Sequence, residues 1–235
     1  MQDWRAGYII FGVLIVTQLI CFKMIQPQPV LELPSITSTQ NEDNNHKITV
    51  KLVKIAIILG AATQFSGINV AIFYSSRLST NGNIVLFISL LNMSFSIIGL
   101  LLVNWSRRKL LLSGIFFILI AQILLGIGME YIGVALLLLG FQVGPGAMFA
   151  VLCGELLSNT FLVSLSFVSN FLSSAFVVFI FPFIGSNAWW AYFSVSFVSF
   201  IWLFKNIIET KGKSITEIYN EINNIHIDKL SKDLA

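Results

Sequence analysis

The sequence predicts an all-α, polytopic membrane protein with seven transmembrane helices. Hydrophobic residues make up 56% of the chain and charged residues only 11%, with a mean hydropathy of +0.86. About a quarter of an ordinary soluble domain is charged. The apolar stretches also run unbroken for roughly the 20 residues that a helix needs to cross a bilayer, and lack the ten-residue alternation of barrel strands.

Cutting at charges and turn residues gives seven spans: Tyr8–Ile25, Leu52–Ser76, Ile84–Val103, Leu110–Gly128, Ile132–Gly154, Leu162–Ile184 and Ala188–Ile208. The net charge is +3, and its distribution matters more than its size. Lys47, Lys51, Arg107, Arg108, Lys109, Lys211, Lys213, Lys229 and Lys232 share a side with the C-terminal tail, and only Arg5 and Arg77 fall opposite. Positive charge marks the cytoplasmic side, so the tail is expected inside and the N-terminus outside. No small-residue cleavage pattern follows the opening MQDWRAG, so the first apolar run reads as a retained span. Residues 26–50 are polar, carry Pro27, Pro29 and Pro34, and read as a linker with no core of its own.

The second span carries Gln64, Ser66, Gly67 and Asn69 near the hydrocarbon midplane. An amide there must find a partner, and the Ser-Gly pair loosens the backbone beside it. Taken alone, such groups more often glue helices together than bind a substrate. Asn92 in the third span and Asn170, Ser173 and Ser174 in the sixth lie at similar depth. The fourth span is nearly featureless, with Gln122 as its only amide, and reads as a packing or lipid-facing helix. In the fifth, Gln142 precedes Gly144, Pro145 and Gly146. Proline removes a backbone donor and clashes with the preceding turn, so this helix must bend at mid-membrane. Two interrupted spans are a pointer to a binding site. Trp189, Trp190, Tyr192 and Trp202 place aromatic rings at the ends of the seventh span. Ser214 with Glu217 three residues on reads as the capping box of a short helix reaching Ile225.

Read whole, these segments resemble the sugar porter family of the major facilitator superfamily, from its sixth to its twelfth helix. Thr63-Gln64-Phe65-Ser66-Gly67-Ile68-Asn69, followed by Phe73 and Tyr74, is similar to the motif that opens the C-terminal six-helix bundle. Arg107, Arg108 and Lys109 resemble the basic loop between two helices. Gly144, Pro145, Gly146 and Glu155 resemble the family's Gly-Pro-Gly helix and its closing acid, and Glu209-Thr210-Lys211-Gly212 with Glu217 resembles its exit motif. Gln64, Asn69, Asn92, Gln142 and Asn170 are neutral hydrogen-bonding side chains at one depth and are the expected sugar contacts, with Gln142 standing where the family has a Glu, while Gly67, Phe73, Tyr74, Gly144, Pro145 and Gly146 are the expected gating or kink residues. The resemblance also implies that Arg107, Arg108, Glu155 and Glu209 form cytoplasmic motifs. The segment Leu157–Phe161 lacks the arginine that answers this acid in the family, so Glu155 is expected to be a hydrated boundary residue. Residues 1–25 then correspond to the last helix of the N-terminal bundle, 26–50 to a cytoplasmic linker, 51–208 to the C-terminal bundle and 209–235 to a cytoplasmic tail.

No enzyme chemistry is expected. His46 and His226 sit in polar segments, and Cys21 and Cys153 lie inside separate spans, so nucleophiles, bases and metal ligands do not cluster. No cofactor, metal or nucleic acid is expected as a partner. Neutral amides suit an uncharged polyol, whereas an anionic substrate would call for Arg, Lys or helix N-termini. The expected function is transport of a neutral hexose-like sugar by alternating access across a lipid bilayer, with the plasma membrane as the expected location. A missing N-terminal bundle or a partner chain would complete the path. The alternative is a non-transporting truncated membrane fragment, or a bundle that binds a partner.

Overall fold

A computed structural model describes residues 42–74, 82–157, 159–214 and 217–222, with side chains from residue 49 in the first stretch and residue 86 in the second. The expected first span, Tyr8–Ile25, most of the linker, Arg77, His226 and the end of the tail lie outside them. All regular structure among the described residues is helical. The helices are α1 (Glu42–Gln64), α2 (Ile68–Phe73), α3 (Gly82–Leu102), α4 (Arg107–Gly126), α5 (Glu130–Val143), α6 (Pro145–Leu156), α7 (Thr160–Ile184) and α8 (Ala188–Asn206). A 3-10 turn at Gly185–Asn187 joins α7 to α8, and residues 217–222 add a last short helix.

Among the described residues, four stretches are long and apolar enough to cross a membrane: Thr49–Phe73, Arg107–Gly126, Glu130–Leu156 and Thr160–Asn206. The last is made of α7 and α8, and Leu86–Leu102 is a shorter apolar helix. Helix α1 starts at Glu42, inside the segment read as a linker ending at Val50. A helix anchored by an apolar face extends at little cost through residues that would not start one, because the nucleus is already formed.

The bundle packs α4 on α5 and α1 on α7 most extensively, with α8 lying against both α4 and α1. Small residues allow the closest approaches. A Cβ on Gly114 would stand 2.3 Å from Gly144 Cα, and one on Gly60 would stand 2.4 Å from the Ser166 carbonyl oxygen. Such contact between backbones is how helices associate where lipid offers no hydrophobic drive.

Among the described residues, buried side chains form two cores. One, toward the end that carries Arg107 and Glu209, gathers Leu52, Leu59, Leu111, Leu152 and Leu203. Ile218 and Ile222 belong to it, so the start of the tail is docked on the bundle. The other gathers Ile68, Leu137, Val177, Trp189 and Tyr192. The chain passes from the first core to the second across the gap between α1 and α2.

Candidate functional site

Residues 65–67 interrupt what hydropathy alone would read as one helix. Gly67 has φ 79° and ψ 13°, a left-handed conformation that costs an L-residue with a side chain about 1–2 kcal/mol. A Cβ there would also stand 2.6 Å from the Trp189 ring. Ser66 is fully buried, donates its hydroxyl to the Thr63 carbonyl at 2.7 Å and accepts the Ile68 amide at 3.3 Å. The side chain thus stands in for backbone bonds that the interruption removes.

The expected sugar contacts fall into two groups. Asn69 Nδ2 donates to Gln64 Oε1 and to Ser174 Oγ, both at 2.7 Å, and Gln64 Nε2 donates to Asn170 Oδ1 at 3.0 Å. Asn170 Nδ2 reaches the Gly60 carbonyl at 3.4 Å. Gln64, Asn69 and Asn170 therefore form one network across the gap between α1, α2 and α7. Asn170 is buried, while Gln64 and Asn69 are half-buried. Separately, Gln142 Nε2 donates to Asn92 Oδ1 at 2.6 Å, linking α5 to α3. No hydrogen bond joins the two groups among the described residues.

The second interruption is milder. Gly144, with φ −100° and ψ −105°, separates α5 from α6. Its amide still donates to Gly140 at 3.0 Å, and its carbonyl accepts the Met148 amide at 2.9 Å. Pro145 removes only the donor that would serve Phe141. A Cβ on Gly146 would stand 2.8 Å from the Phe141 ring. At the end of α2, Phe73 is exposed, while Tyr74 is half-buried with its ring 5.0 Å from that of Phe181.

Gln122 is the residue whose role the sequence alone does not disclose. It is wholly buried, and its Nε2 lies 2.8 Å from the Phe65 carbonyl oxygen, 3.2 Å from that of Ser66 and 3.2 Å from Ser196 Oγ. Ser196 Oγ donates to the same Phe65 carbonyl at 3.1 Å. A single amide in a leucine-rich helix carries no local mark of such a role, because its partner lies 57 positions earlier in the chain.

At the basic end, Glu155 is not the unanswered boundary acid expected from Leu157–Phe161. Arg107 reaches it from the α3–α4 turn with Nη2 3.2 Å and Nε 3.3 Å from Oε1, and the Thr210 hydroxyl donates to Oε2. The arginine arrives from 48 residues upstream, because α4 packs beside α6 and brings its N-terminus to the end of that helix. Glu209 accepts the Ser106 hydroxyl and the amides of Arg107 (2.9 Å), Arg108 (3.4 Å) and Lys211 (3.1 Å). Burial pushes the Glu209 carboxyl up, but these donors outweigh it and hold it below the ordinary carboxylate range. Arg108 donates to the Phe204 carbonyl at 2.8 Å with its guanidinium 5.8 Å from that ring's centroid. Ser214 and Glu217 form the capping box: Ser214 N donates to Glu217 Oε2 at 2.7 Å, and Glu217 N to Ser214 Oγ at 3.3 Å.

Comparison with known proteins agrees with this architecture. The family described as "Sugar (and other) transporter" matches residues 39–221. The facilitated glucose transporter member 2 of solute carrier family 2 from Mus musculus is 28% identical, with 72% of this chain and 37% of the relative aligned. The D-xylose-proton symporter of Escherichia coli K12 is 26% identical, over 72% of this chain and 41% of its own. This chain thus spans about two fifths of the length of these relatives. Among solved structures, a double-tryptophan mutant of XylE superposes with a TM-score of 0.65 at 21% identity, covering 73% of this chain and 42% of that one. The partially occluded inward-open form of the xylose transporter XylE from E. coli gives 0.56 at 25% identity, covering 72% and 43%. A family match over 39–221, on a helical bundle that superposes on XylE, means that the chain belongs to the sugar porters of the major facilitator superfamily.

Proposed function

We propose that this chain supplies one wall of a carrier for a neutral hexose-like sugar that works by alternating access. The observation that carries the reading is the network of Gln64, Asn69, Asn170 and Ser174 across the helix gap. Uncharged donors and acceptors match a sugar's hydroxyls, and an interrupted backbone at membrane depth is tolerated where it lines protein or water. Asn92 and Gln142 contribute a second set of contacts. Among the described residues, Asn92 Nδ2 donates no hydrogen bond and Gln142 Oε1 accepts none, so the one can donate to a sugar hydroxyl and the other accept from it.

The two interruptions, with Gly67, Phe73 and Tyr74 at one and Gly144, Pro145 and Gly146 at the other, act as gates. The basic end faces the cytoplasm, consistent with positive charge inside, and the protein resides in the plasma membrane. There Arg107 with Glu155, and Glu209 with the Ser106–Arg108 turn, latch the helix ends in one state of the cycle. Rocking about a midplane site takes two bundles, so a second bundle, on the same chain or a partner, faces this one. The exposed apolar side chains of α7, such as Phe171, Phe179 and Phe183, suit such a neighbour or lipid.

Uptake of radiolabelled D-glucose into vesicles from cells expressing the protein tests the reading. Gln64→Ala or Asn69→Ala is expected to reduce uptake by about ten-fold or more, the equivalent of one lost hydrogen bond of about 1.5 kcal/mol. Uptake indifferent to both changes would remove the site assignment.

A further inference from the structure

Gln122 raises a physical question that packing does not answer. Its Nε2 is surrounded by three acceptors, the carbonyl oxygens of Phe65 and Ser66 and the hydroxyl of Ser196. Those acceptors fix the orientation of the amide, because turning it over would set Oε1 against two carbonyl oxygens. Yet Oε1 is buried with no partner among the described residues. An unbonded acceptor inside a protein is costly, and a leucine of similar volume would fill the same space without that cost. What glutamine adds here is its pair of N–H donors.

Those donors meet a specific need. The interruption takes the Phe65 and Ser66 carbonyls out of the backbone ladder. Buried carbonyls require a donor, and the side chain of α4 provides it. The same contact fixes the N-terminal end of α2, which has only six residues and so little helical stability of its own. Asn69 lies in the first turn of α2 and reaches Gln64 and Ser174 from there. The position of Asn69 therefore depends on where Gln122 holds the two carbonyls.

We infer that Gln122 is the positioning residue of the interrupted helix: by donating to Phe65 and Ser66 it sets the place of α2, and with it the place of Asn69 in the sugar site. Ser196, which donates to the same Phe65 carbonyl, is its junior partner. The inference rests on the sugar-carrier reading for its functional half alone, since the clamp itself is a matter of backbone geometry.

The test uses the full chain in vesicles and two readouts. In Gln122→Leu, backbone amides of residues 67–73 are expected to exchange with solvent deuterium about ten-fold faster, while those of α4 itself change less than about two-fold. A residue that merely packs would loosen its own helix as much as its neighbour. In the same variant, KM for D-glucose uptake is expected to rise about ten-fold with kcat within about two-fold, because a loosened Asn69 weakens binding. Should Gln122→Leu not reach the membrane, Ser196→Ala carries the same test, with exchange and KM each expected to rise about two- to three-fold. Unchanged exchange at 67–73, exchange raised equally throughout α4, or an unchanged KM would overturn the inference. If the wild-type protein takes up no D-glucose, the sugar reading is what has failed, and the exchange result alone decides the clamp.

Discussion

The two interrupted helices of this bundle are broken in different ways. At 65–67 the chain enters a left-handed turn at Gly67 and leaves two carbonyls to be met by Gln122 and Ser196. At Gly144 the ladder continues on both sides, and proline removes one donor. The first break depends on side chains from other helices, while the second is largely satisfied by its own backbone. Polar side chains accordingly gather around the first. Where the backbone opens fully inside a membrane protein, neighbouring helices must supply hydrogen-bonding groups, and the same groups are available to a substrate.

The difference predicts unequal responses to substitution. Gly67→Ala should have the largest effect, because a methyl group there meets both the left-handed backbone and the Trp189 ring at 2.6 Å. A loss of about 3 kcal/mol is expected from the two together, read as a lower midpoint of unfolding in detergent. Pro145→Ala should do much less. It restores an amide within reach of the Phe141 carbonyl, so the midpoint should stay the same or rise by the equivalent of about 1 kcal/mol or less. Equal losses at the two positions would remove the distinction between a side-chain-supported break and a backbone-supported one.

The smallest effect concerns Glu209 at the basic end. Glu209 is held below the usual carboxylate range, so its contribution to stability is complete above the ordinary carboxylate value and is lost as pH falls through its lowered value. Acidification below about pH 4 should loosen the Ser106–Arg108 turn, and Glu209→Gln should flatten that part of the stability profile against pH. A profile unaltered by Glu209→Gln would contradict the assignment.

Much of this architecture is legible in the sequence, for identifiable reasons. The crossing helices come from apolar runs near bilayer length, and both breaks come from glycine and proline chemistry that acts locally. The network of Gln64, Asn69 and Asn170 joins residues whose cost at membrane depth marks them individually. The features that the sequence hides join residues distant along the chain. Arg107 answers Glu155 from another turn, and Gln122 serves a gap that lies two helices earlier. The pairing of Gln142 with Asn92 is equally hidden, although each residue stands out alone. Nothing local in Gln26–Val50 announces that its last nine residues belong to α1, because that helix is anchored by the apolar residues after Val50.

Asn69 Nδ2 and Gln64 Oε1 are joined by a 2.7 Å hydrogen bond, and the proposed carrier receives the sugar on this pair as one unit. A double-mutant cycle on the affinity for D-glucose, with Gln64→Ala, Asn69→Ala and the double variant, measures it directly. Each single change is expected to weaken binding about ten-fold, and the double change to add at most about three-fold more. Binding that is unaffected by either change, or losses that multiply as independent sites would, would contradict it.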